Sequence, residues 1–153
     1  MRPEEHVGNA NAITEIFGGW PTFHDAEVVS MHLQRGPGSP SLECVIHVSE
    51  ATQEIDAHGF YVQKNHTLVT LAFRNIRLHE LSGFNHQNVI YELEIDFAPK
   101  GTGRFSVYLP SSNGCEAQFN CDEIDVAKVE LLAPEHQTGH GIDVTLKPGR
   151  PIA

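Results

Sequence analysis

The sequence is short of positive charge and has no long apolar run, and each shortage excludes a class of protein. Its 153 residues carry ten Lys and Arg against twenty Asp and Glu, a formal charge of -10 with histidine neutral. Nucleic-acid and anionic-membrane binding both need clustered basic residues, so neither is expected. No segment approaches the roughly 20 apolar residues of a membrane helix, and residues 1–6 lack the apolar core of a signal peptide. We therefore expect a cytoplasmic protein.

Cysteine is also scarce, with only Cys44, Cys115 and Cys121 in the chain. These three form no CxxC pair and no zinc-ligand spacing. Cys115 and Cys121 fall on one candidate strand, where six residues separate them by roughly 20 Å, which is too far for a disulfide. We expect three reduced thiols that act as small apolar side chains.

Most of the chain alternates between apolar and polar residues with the period of two that is typical of half-buried strands. The turns between these runs, at 36–40, 99–103 and 110–114, are rich in Gly, Pro, Ser and Asn. Such short connections favour antiparallel neighbours. We predict a mainly β fold, an antiparallel sandwich or partly open barrel of about seven strands. The apolar positions are Val29, Met31, Leu33; Leu42, Cys44, Ile46, Val48; Val69, Leu71, Phe73; Val89, Tyr91, Leu93, Ile95, Phe97; Phe105, Val107, Leu109; Ala117, Phe119, Cys121; and Ile124, Val126, Val129, Leu131.

Three segments depart from this alternation. Residues 9–19 predict one short N-terminal helix, capped by Asn9 or Asn11, with Ile13, Ile16 and Phe17 on one face and an end at Gly18-Gly19. The phase of the last strand slips near Ala127, which indicates a bulge. The stretch from 49 to 65 is long enough for a crossover or a flap.

The apolar pattern stops at residue 134. We therefore predict one β domain over residues 1–133 and a loosely structured tail over 134–153, with one short strand at 142–146.

The densest local signal is the segment Trp20-Pro21-Thr22-Phe23-His24-Asp25-Ala26-Glu27-Val28, called here the first motif. A metal or acid/base site could use His24, Asp25 and Glu27. In a strand, however, Asp25 and Glu27 share the face of Val29 while His24 points the other way, so the three do not converge on one ion. The favoured interpretation is a structural corner. In it, Asp25 and Glu27 lie on the core-facing side as hydrogen-bond acceptors, and Trp20 and Phe23 plug the end of the core. Partner contact through Trp20 or His24 is the alternative.

Other catalytic and cofactor motifs are missing from the sequence. It contains no GxSxG elbow, P-loop or GxGxxG, and its ten histidines are scattered over different candidate strands and loops. We predict no enzyme, no catalytic residues, no metal and no cofactor.

Three acids, Glu92, Glu94 and Asp96, alternate along the clearest candidate strand and are called here the acidic stripe. Like charges on one face of a strand repel each other unless solvent or a basic neighbour relieves them. The stripe is therefore either a solvated sheet face or a contact patch for a basic partner.

The first motif resembles the opening of the immunity protein 50 group of bacterial polymorphic-toxin systems. The resemblance continues in Leu81-Ser82-Gly83-Phe84-Asn85-His86-Gln87-Asn88-Val89-Ile90, called here the second motif, which is similar to that group's GFNxQN element. Together the motifs and the strands between them span most of residues 17–132. The resemblance implies a cytoplasmic protein that binds and blocks a co-encoded toxin, and it supplies no catalytic residues. From the residues themselves, Gly83 and Asn85 suit a turn, Phe84 tucks inward, and the amides of Asn85, Gln87 and Asn88 bond nearby backbone.

Two functions from different classes compete. The leading hypothesis is an immunity or inhibitor protein that blocks its cognate protein toxin by steric occlusion, with acidic residues facing a basic toxin. The alternative is a small-ligand-binding or metal-binding β-sandwich protein, which could be an enzyme, with its site near His24, Asp25 and Glu27. Open sheet edges would also permit a homo-oligomer.

Overall fold

The computed structural model describes residues 2–133, and these are mainly β as predicted. A 3₁₀ turn at Pro3–His6 and one helix, α1, at Asn11–Phe17 precede the strands. There are ten strands rather than seven, because several predicted runs are divided. They are β1 (Glu27–Gln34), β2 (Ser41–Ile55), β3 (Tyr61–Arg74), β4 (Arg77–Ser82), β5 (Val89–Ile90), β6 (Glu94–Phe97), β7 (Phe105–Leu109), β8 (Ser111–Asn113), β9 (Glu116–Cys121) and β10 (Glu123–Leu131).

The strands form two antiparallel sheets that enclose one core. The larger sheet has the order β10-β3-β2-β1-β5-β8, and the smaller has the order β4-β9-β7-β6. Phe73 of β3 meets Phe119 of β9 edge to face, with ring centroids 4.9 Å apart, so these two rings join the sheets. The predicted antiparallel sandwich is confirmed.

The alternation predicts the core correctly in the four strands at the centre of the two sheets. The inward residues of β2, β3, β7 and β9 are all buried, as expected for strands with one face on the core. They are Leu42, Cys44, Ile46 and Val48; Val69, Leu71 and Phe73; Phe105, Val107 and Leu109; and Ala117, Phe119 and Cys121.

The run from 88 to 97 is not one strand, and this prediction is wrong. Val89 and Ile90 join the larger sheet, whereas Glu94–Phe97 joins the smaller one. The chain turns between the sheets at Tyr91, which is exposed, while Ile90 is buried. Of the residues predicted to share one inward face, Leu93 and Ile95 are buried, whereas Tyr91 and Phe97 are exposed, so the face is not continuous along the run.

Bulges explain two further outcomes. The slip predicted near Ala127 is confirmed, since the register of β10 with β3 shifts between Val126 and Lys128. A second shift, between Val28 and Ser30 of β1, has no counterpart in the sequence pattern. It places Val28 rather than Val29 on the core face, and Leu33, although paired with the buried Leu42, is 46% exposed.

Helix α1 is shorter than predicted and is capped differently. Its N-cap is Ala10 without a side-chain hydrogen bond, and Asn11 is already helical, so the predicted asparagine cap is wrong. Asn9 instead adopts a left-handed conformation and donates a side-chain hydrogen bond to the Val126 carbonyl. The predicted end is confirmed, since Gly18 has φ +77° and donates to the Thr14 carbonyl at 2.8 Å.

The three cysteines are free and buried, as predicted. Burial raises the pKa of the Cys44, Cys115 and Cys121 thiols, so all three act as apolar core side chains. Residues 134–153, including the predicted strand at 142–146, lie outside the described residues, and the division of the chain at residue 133 remains a prediction. Within residues 2–133, no helix has the length and apolar character needed to cross a membrane.

Candidate functional site

The two sequence motifs lie side by side, although about sixty residues separate them in the chain. Asp25 donates its backbone N–H to the Ile90 carbonyl at 3.0 Å, and Ile90 donates back to the Ala26 carbonyl at 3.0 Å. Val28 donates to the Asn88 carbonyl at 2.8 Å. The motifs are therefore two halves of one structural unit that joins β1 to β5.

Asn88 holds this unit together, with its side chain buried. Its Oδ1 accepts from the backbone N–H of Asn85 at 2.9 Å and of Cys115 at 3.1 Å. Its Nδ2 donates to the carbonyls of Asn85 at 2.8 Å and Val28 at 3.4 Å. Gly114 lies so close that a Cβ there would stand 2.7 Å from the Asn88 Oδ1, and its φ is +82°. The predicted backbone-bonding role of the second motif is confirmed for Asn88 and Asn85. Phe84 is exposed, so its predicted inward position is wrong.

Phe23 and Trp20 form the corner at the start of the first motif. Phe23 is fully buried and has φ +64°, an unusual conformation for a bulky residue that the surrounding packing must hold. Its ring lies 5.6 Å from that of Trp20, which is partly buried against the core. The Thr22 carbonyl accepts from Leu93 at 3.0 Å and ties this corner to the chain that enters β6.

Asp25 and Glu27 do not face the core, and that prediction is wrong. The buried residues of this segment are Ala26 and Val28, while Asp25 is exposed and Glu27 is half-buried. The cause is the bulge between Val28 and Ser30, which reverses the alternation so that Ala26 and Val28, rather than Asp25 and Glu27, share the core face with Met31.

His24 is exposed and is tied to the second half of the site. A carbonyl only accepts, so the 2.8 Å contact with the Tyr91 carbonyl places a proton on His24 Nδ1. Its Nε2 lies 3.4 Å from an Asp25 carboxylate oxygen. Within residues 2–133, no three His, Cys, Asp or Glu side chains are arranged to hold a metal ion.

A cleft of about 610 Å³ is lined by residues of the first motif and of the middle of β2 and β3. Its lining includes Asp25, Glu27 and Glu50, together with His24 and Gln87 of the second motif. His47 and His66 also line the cleft, and their rings stack with centroids 5.1 Å apart. His47 Nε2 is 2.9 Å from His66 Nδ1, so one ring must be an unprotonated acceptor.

Burial, followed by the neighbouring His66 ring, lowers the pKa of His47 to about 4. Burial also lowers the pKa of His66. The unfolded chain has the ordinary value near 6.5, so it binds more protons than the folded chain between pH 6.5 and pH 4. The contribution of these two histidines to the free energy of unfolding is therefore fully present above pH 6.5 and is lost as the pH drops through this window.

We expect the free energy of unfolding of the protein to fall, through His47 alone, by on the order of 3 kcal/mol between pH 7 and pH 4. The measurement is urea unfolding at a series of pH values for the wild type and for His47→Gln. The variant should show a shallower decline, whereas His32→Gln, at an exposed histidine of β1, should keep the wild-type slope. Parallel declines in wild type and His47→Gln would contradict this expectation.

The acidic stripe borders a second, shallower groove of about 360 Å³. Glu92 and Asp96 are exposed and Glu94 is half-buried, with its pKa raised by burial and then by the Glu92 and Asp96 carboxylates. Trp20 lines the same groove, and so does Arg2, whose guanidinium lies 3.4 Å from a Glu4 carboxylate oxygen. The structure thus brings Trp20 together with the stripe.

The predicted site residues fall into two groups, those that line the cleft and those that line the groove. His24, Asp25 and Glu27 border the cleft, the stripe borders the groove, and Pro21 and Thr22 line both. Phe23 lines the cleft but is otherwise part of the core. Sequence reasoning missed the cleft-lining residues of β2 and β3, namely His47, Glu50, Gln63 and His66. Only a prediction that residues 49–65 form a hairpin would have placed His47 beside His66.

Comparison with known proteins identifies the family of the chain. The family model described as immunity protein 50 matches residues 9–132, which include helix α1, both motifs and all ten strands. Neither the curated proteins nor the solved structures gave a match. Because the match covers most of the sequence, the chain belongs to the immunity protein 50 family.

Proposed function

We propose that this protein neutralises a co-encoded protein toxin by binding to it and covering its functional surface. Membership of the immunity protein 50 family supports a toxin as the partner. The sequence offers no nucleophile motif and no phosphate-binding loop, which favours action by binding rather than by catalysis.

The observation that carries the proposal is the position of Trp20 in one groove with Glu92, Glu94 and Asp96. Tryptophan is among the side chains that contribute most at protein interfaces. Burial, and then repulsion by the Glu92 and Asp96 carboxylates, raises the pKa of Glu94, and a cationic partner would relieve the repulsion. A basic toxin surface is therefore the complement of this groove, and a net charge of -10 would speed the encounter.

Co-expression with the toxin domain encoded immediately upstream tests the proposal directly. We expect growth to be rescued and a one-to-one complex to form, with toxin activity falling linearly to zero at equal molar amounts. The toxin should be recovered intact and active when the complex is dissociated. Toxin that stays inactive after dissociation would indicate a catalytic mechanism, and no binding even at low salt would refute the proposal.

The contribution of the stripe is tested by neutralising its charges. We expect the triple change Glu92→Gln, Glu94→Gln and Asp96→Asn to slow association with the toxin about tenfold at low salt, with a smaller effect on dissociation. Surface plasmon resonance over a range of salt concentrations measures both rates. The difference in association rate between wild type and variant should become smaller as the salt concentration rises, because salt screens the long-range attraction.

The matched control changes three exposed acids outside the groove, Glu15→Gln, Glu80→Gln and Glu123→Gln. Both triple variants alter the net charge by the same amount. If the two slow association equally, net charge alone steers the encounter and the stripe has no special role.

A further inference from the structure

The middle of the chain forms a long hairpin that projects beyond the larger sheet. The register of β1 with β2 extends only to His47, and that of β10 with β3 only to Thr67. The pairing of β2 with β3 continues past these points to Ile55 and Tyr61. The segment 49–65, expected to be a crossover or flap, is therefore a two-stranded projection, called here the arm.

The backbone at the tip of the arm is well ordered by hydrogen bonds. Asp56 donates its N–H to the Phe60 carbonyl at 2.8 Å and accepts from Gly59 at 3.1 Å. Its carboxylate accepts from the N–H groups of His58 at 2.8 Å and Phe60 at 3.0 Å. The turn is completed by Gly59 at φ +84°. A tip built in this way loses little conformational entropy when it binds a partner.

The side chains that this tip presents to solvent are large and apolar. Ile55 is 63% exposed, Phe60 is 60% exposed and Tyr61 is 59% exposed. Ile55 and Tyr61 face each other across the two strands, and Phe60 precedes Tyr61, so the three lie close together. A group of exposed apolar residues indicates an interaction surface more often than a single exposed apolar residue does.

The charge around the tip indicates what kind of partner would fit. The arm contains three acids, Glu50, Glu54 and Asp56, against one base, Lys64. Asp25 and Glu27 line the same cleft as Glu50 and add further negative charge there. An apolar centre within an acidic rim matches a protein surface with an apolar concavity bordered by Lys and Arg. The same charge disfavours an anionic lipid surface.

We propose that the arm tip is the apolar anchor of the toxin complex, with Ile55, Phe60 and Tyr61 seated in a basic-rimmed concavity of the toxin. This inference rests on the proposed function. It divides the binding between two regions: the acidic stripe accelerates the encounter, and the arm holds the complex together by burying aromatic surface. Substitutions in the arm therefore act mainly on dissociation, where most affinity differences between related complexes arise.

The test replaces the two aromatic residues together, Phe60→Ala and Tyr61→Ala, in the full chain. We expect the Kd for the purified, catalytically inactivated toxin domain to rise on the order of 100-fold, mainly through faster dissociation. Because both side chains are exposed, the melting temperature should stay within the error of the wild type. The control removes comparable exposed apolar surface elsewhere, with Phe84→Ala (48% exposed) and Leu131→Ala (57% exposed), and should leave the Kd unchanged.

The outcomes separate the anchor from the proposed function. If the wild type fails to bind the toxin, both ideas are refuted. If the wild type binds and the arm variant binds within threefold of it, the toxin-blocking function stands and the anchor is refuted. If the variant instead converts a wild-type dimer into a monomer with unchanged toxin affinity, a second copy of this chain occupies the tip, and the anchor is again refuted.

A second readout places the tip in the interface without altering the aromatic residues. All three native cysteines are buried, so a fluorophore attached to Ala57→Cys labels the exposed turn selectively. We expect its emission to shift to shorter wavelength when the toxin is added, as water is excluded from the tip. The same label at Glu80→Cys, an exposed position of β4, should not respond. An unchanged signal at position 57 in a formed complex would refute the anchor.

Discussion

Replacing Phe119 with alanine is expected to lower the free energy of unfolding by about 4 kcal/mol. Phe119 lies in β9 at the centre of the smaller sheet, is fully buried, and contacts Phe73 of the larger sheet. Its removal deletes the apolar contact area that joins the two sheets and leaves a cavity that close-packed neighbours cannot fully fill. Equilibrium urea unfolding, followed by tryptophan fluorescence from Trp20, measures the loss.

The comparison for this prediction is Phe84→Ala, which removes the same side chain from an exposed position. It should change stability by less than about 1 kcal/mol, because little apolar surface is recovered from water. Losses of equal size in both variants would mean that the sheets are not joined mainly through the Phe119 contact.

The second large effect is expected at Asn88, where alanine should cost about 3 kcal/mol. The change removes the Asn88 side-chain partner of four hydrogen bonds and leaves the buried Cys115 N–H without its acceptor. An unpaired buried amide carries its full desolvation cost, which is larger than the average contribution of a hydrogen bond. Because Asn88 joins the two motifs, the loss should also shift the positions of Trp20 and His24 and weaken toxin neutralisation.

Two comparisons isolate the role of the Asn88 amide. Asn88→Asp keeps the shape and the acceptor oxygen but replaces the donor by a carboxylate oxygen facing the carbonyls of Asn85 and Val28, so it should also be destabilising. Asn113→Ala removes an exposed amide that bonds the Gln87 side chain, and should cost less than about 0.5 kcal/mol. Hydrogen exchange of the Cys115 amide would show directly whether this region opens. A stable Asn88→Ala variant with a protected Cys115 amide would contradict the prediction.

The outcomes for individual strands show where periodicity is a reliable guide. In β2, β3, β7 and β9 each strand stays in one sheet with one face on the core, so the alternating pattern identified the buried residues correctly. At 88–97 the same pattern was misleading, because the chain leaves the larger sheet after Ile90 and enters the smaller one at Glu94. A period of two carries no information about which sheet a residue joins.

The first motif shows a similar limit at the level of single residues. The alternation placed Asp25 and Glu27 on the core face, yet the bulge between Val28 and Ser30 gives that face to Ala26 and Val28. The left-handed backbone at Phe23 and Asp25 is equally absent from the pattern. A positive φ at a non-glycine residue is imposed by surrounding contacts, here the hydrogen bonds with Ile90 and the packing of Trp20. Trp20 belongs to the same motif, but Ile90 comes from a distant part of the chain, so the local sequence could not reveal its contribution.

By itself, the sequence determined the β class, the reduced cysteines, the acidic charge and membership of the immunity protein 50 family, because composition, period and sequence similarity can be seen without the fold. Only the tertiary structure decided that Asn88 joins the motifs, that Trp20 shares a groove with the acidic stripe, and that His47 meets His66. It also decided that residues 49–65 form a projecting arm. Each of these depends on strand pairing and sheet assignment between segments far apart in the chain, and the free energy of those pairings comes from burial that no single segment can provide.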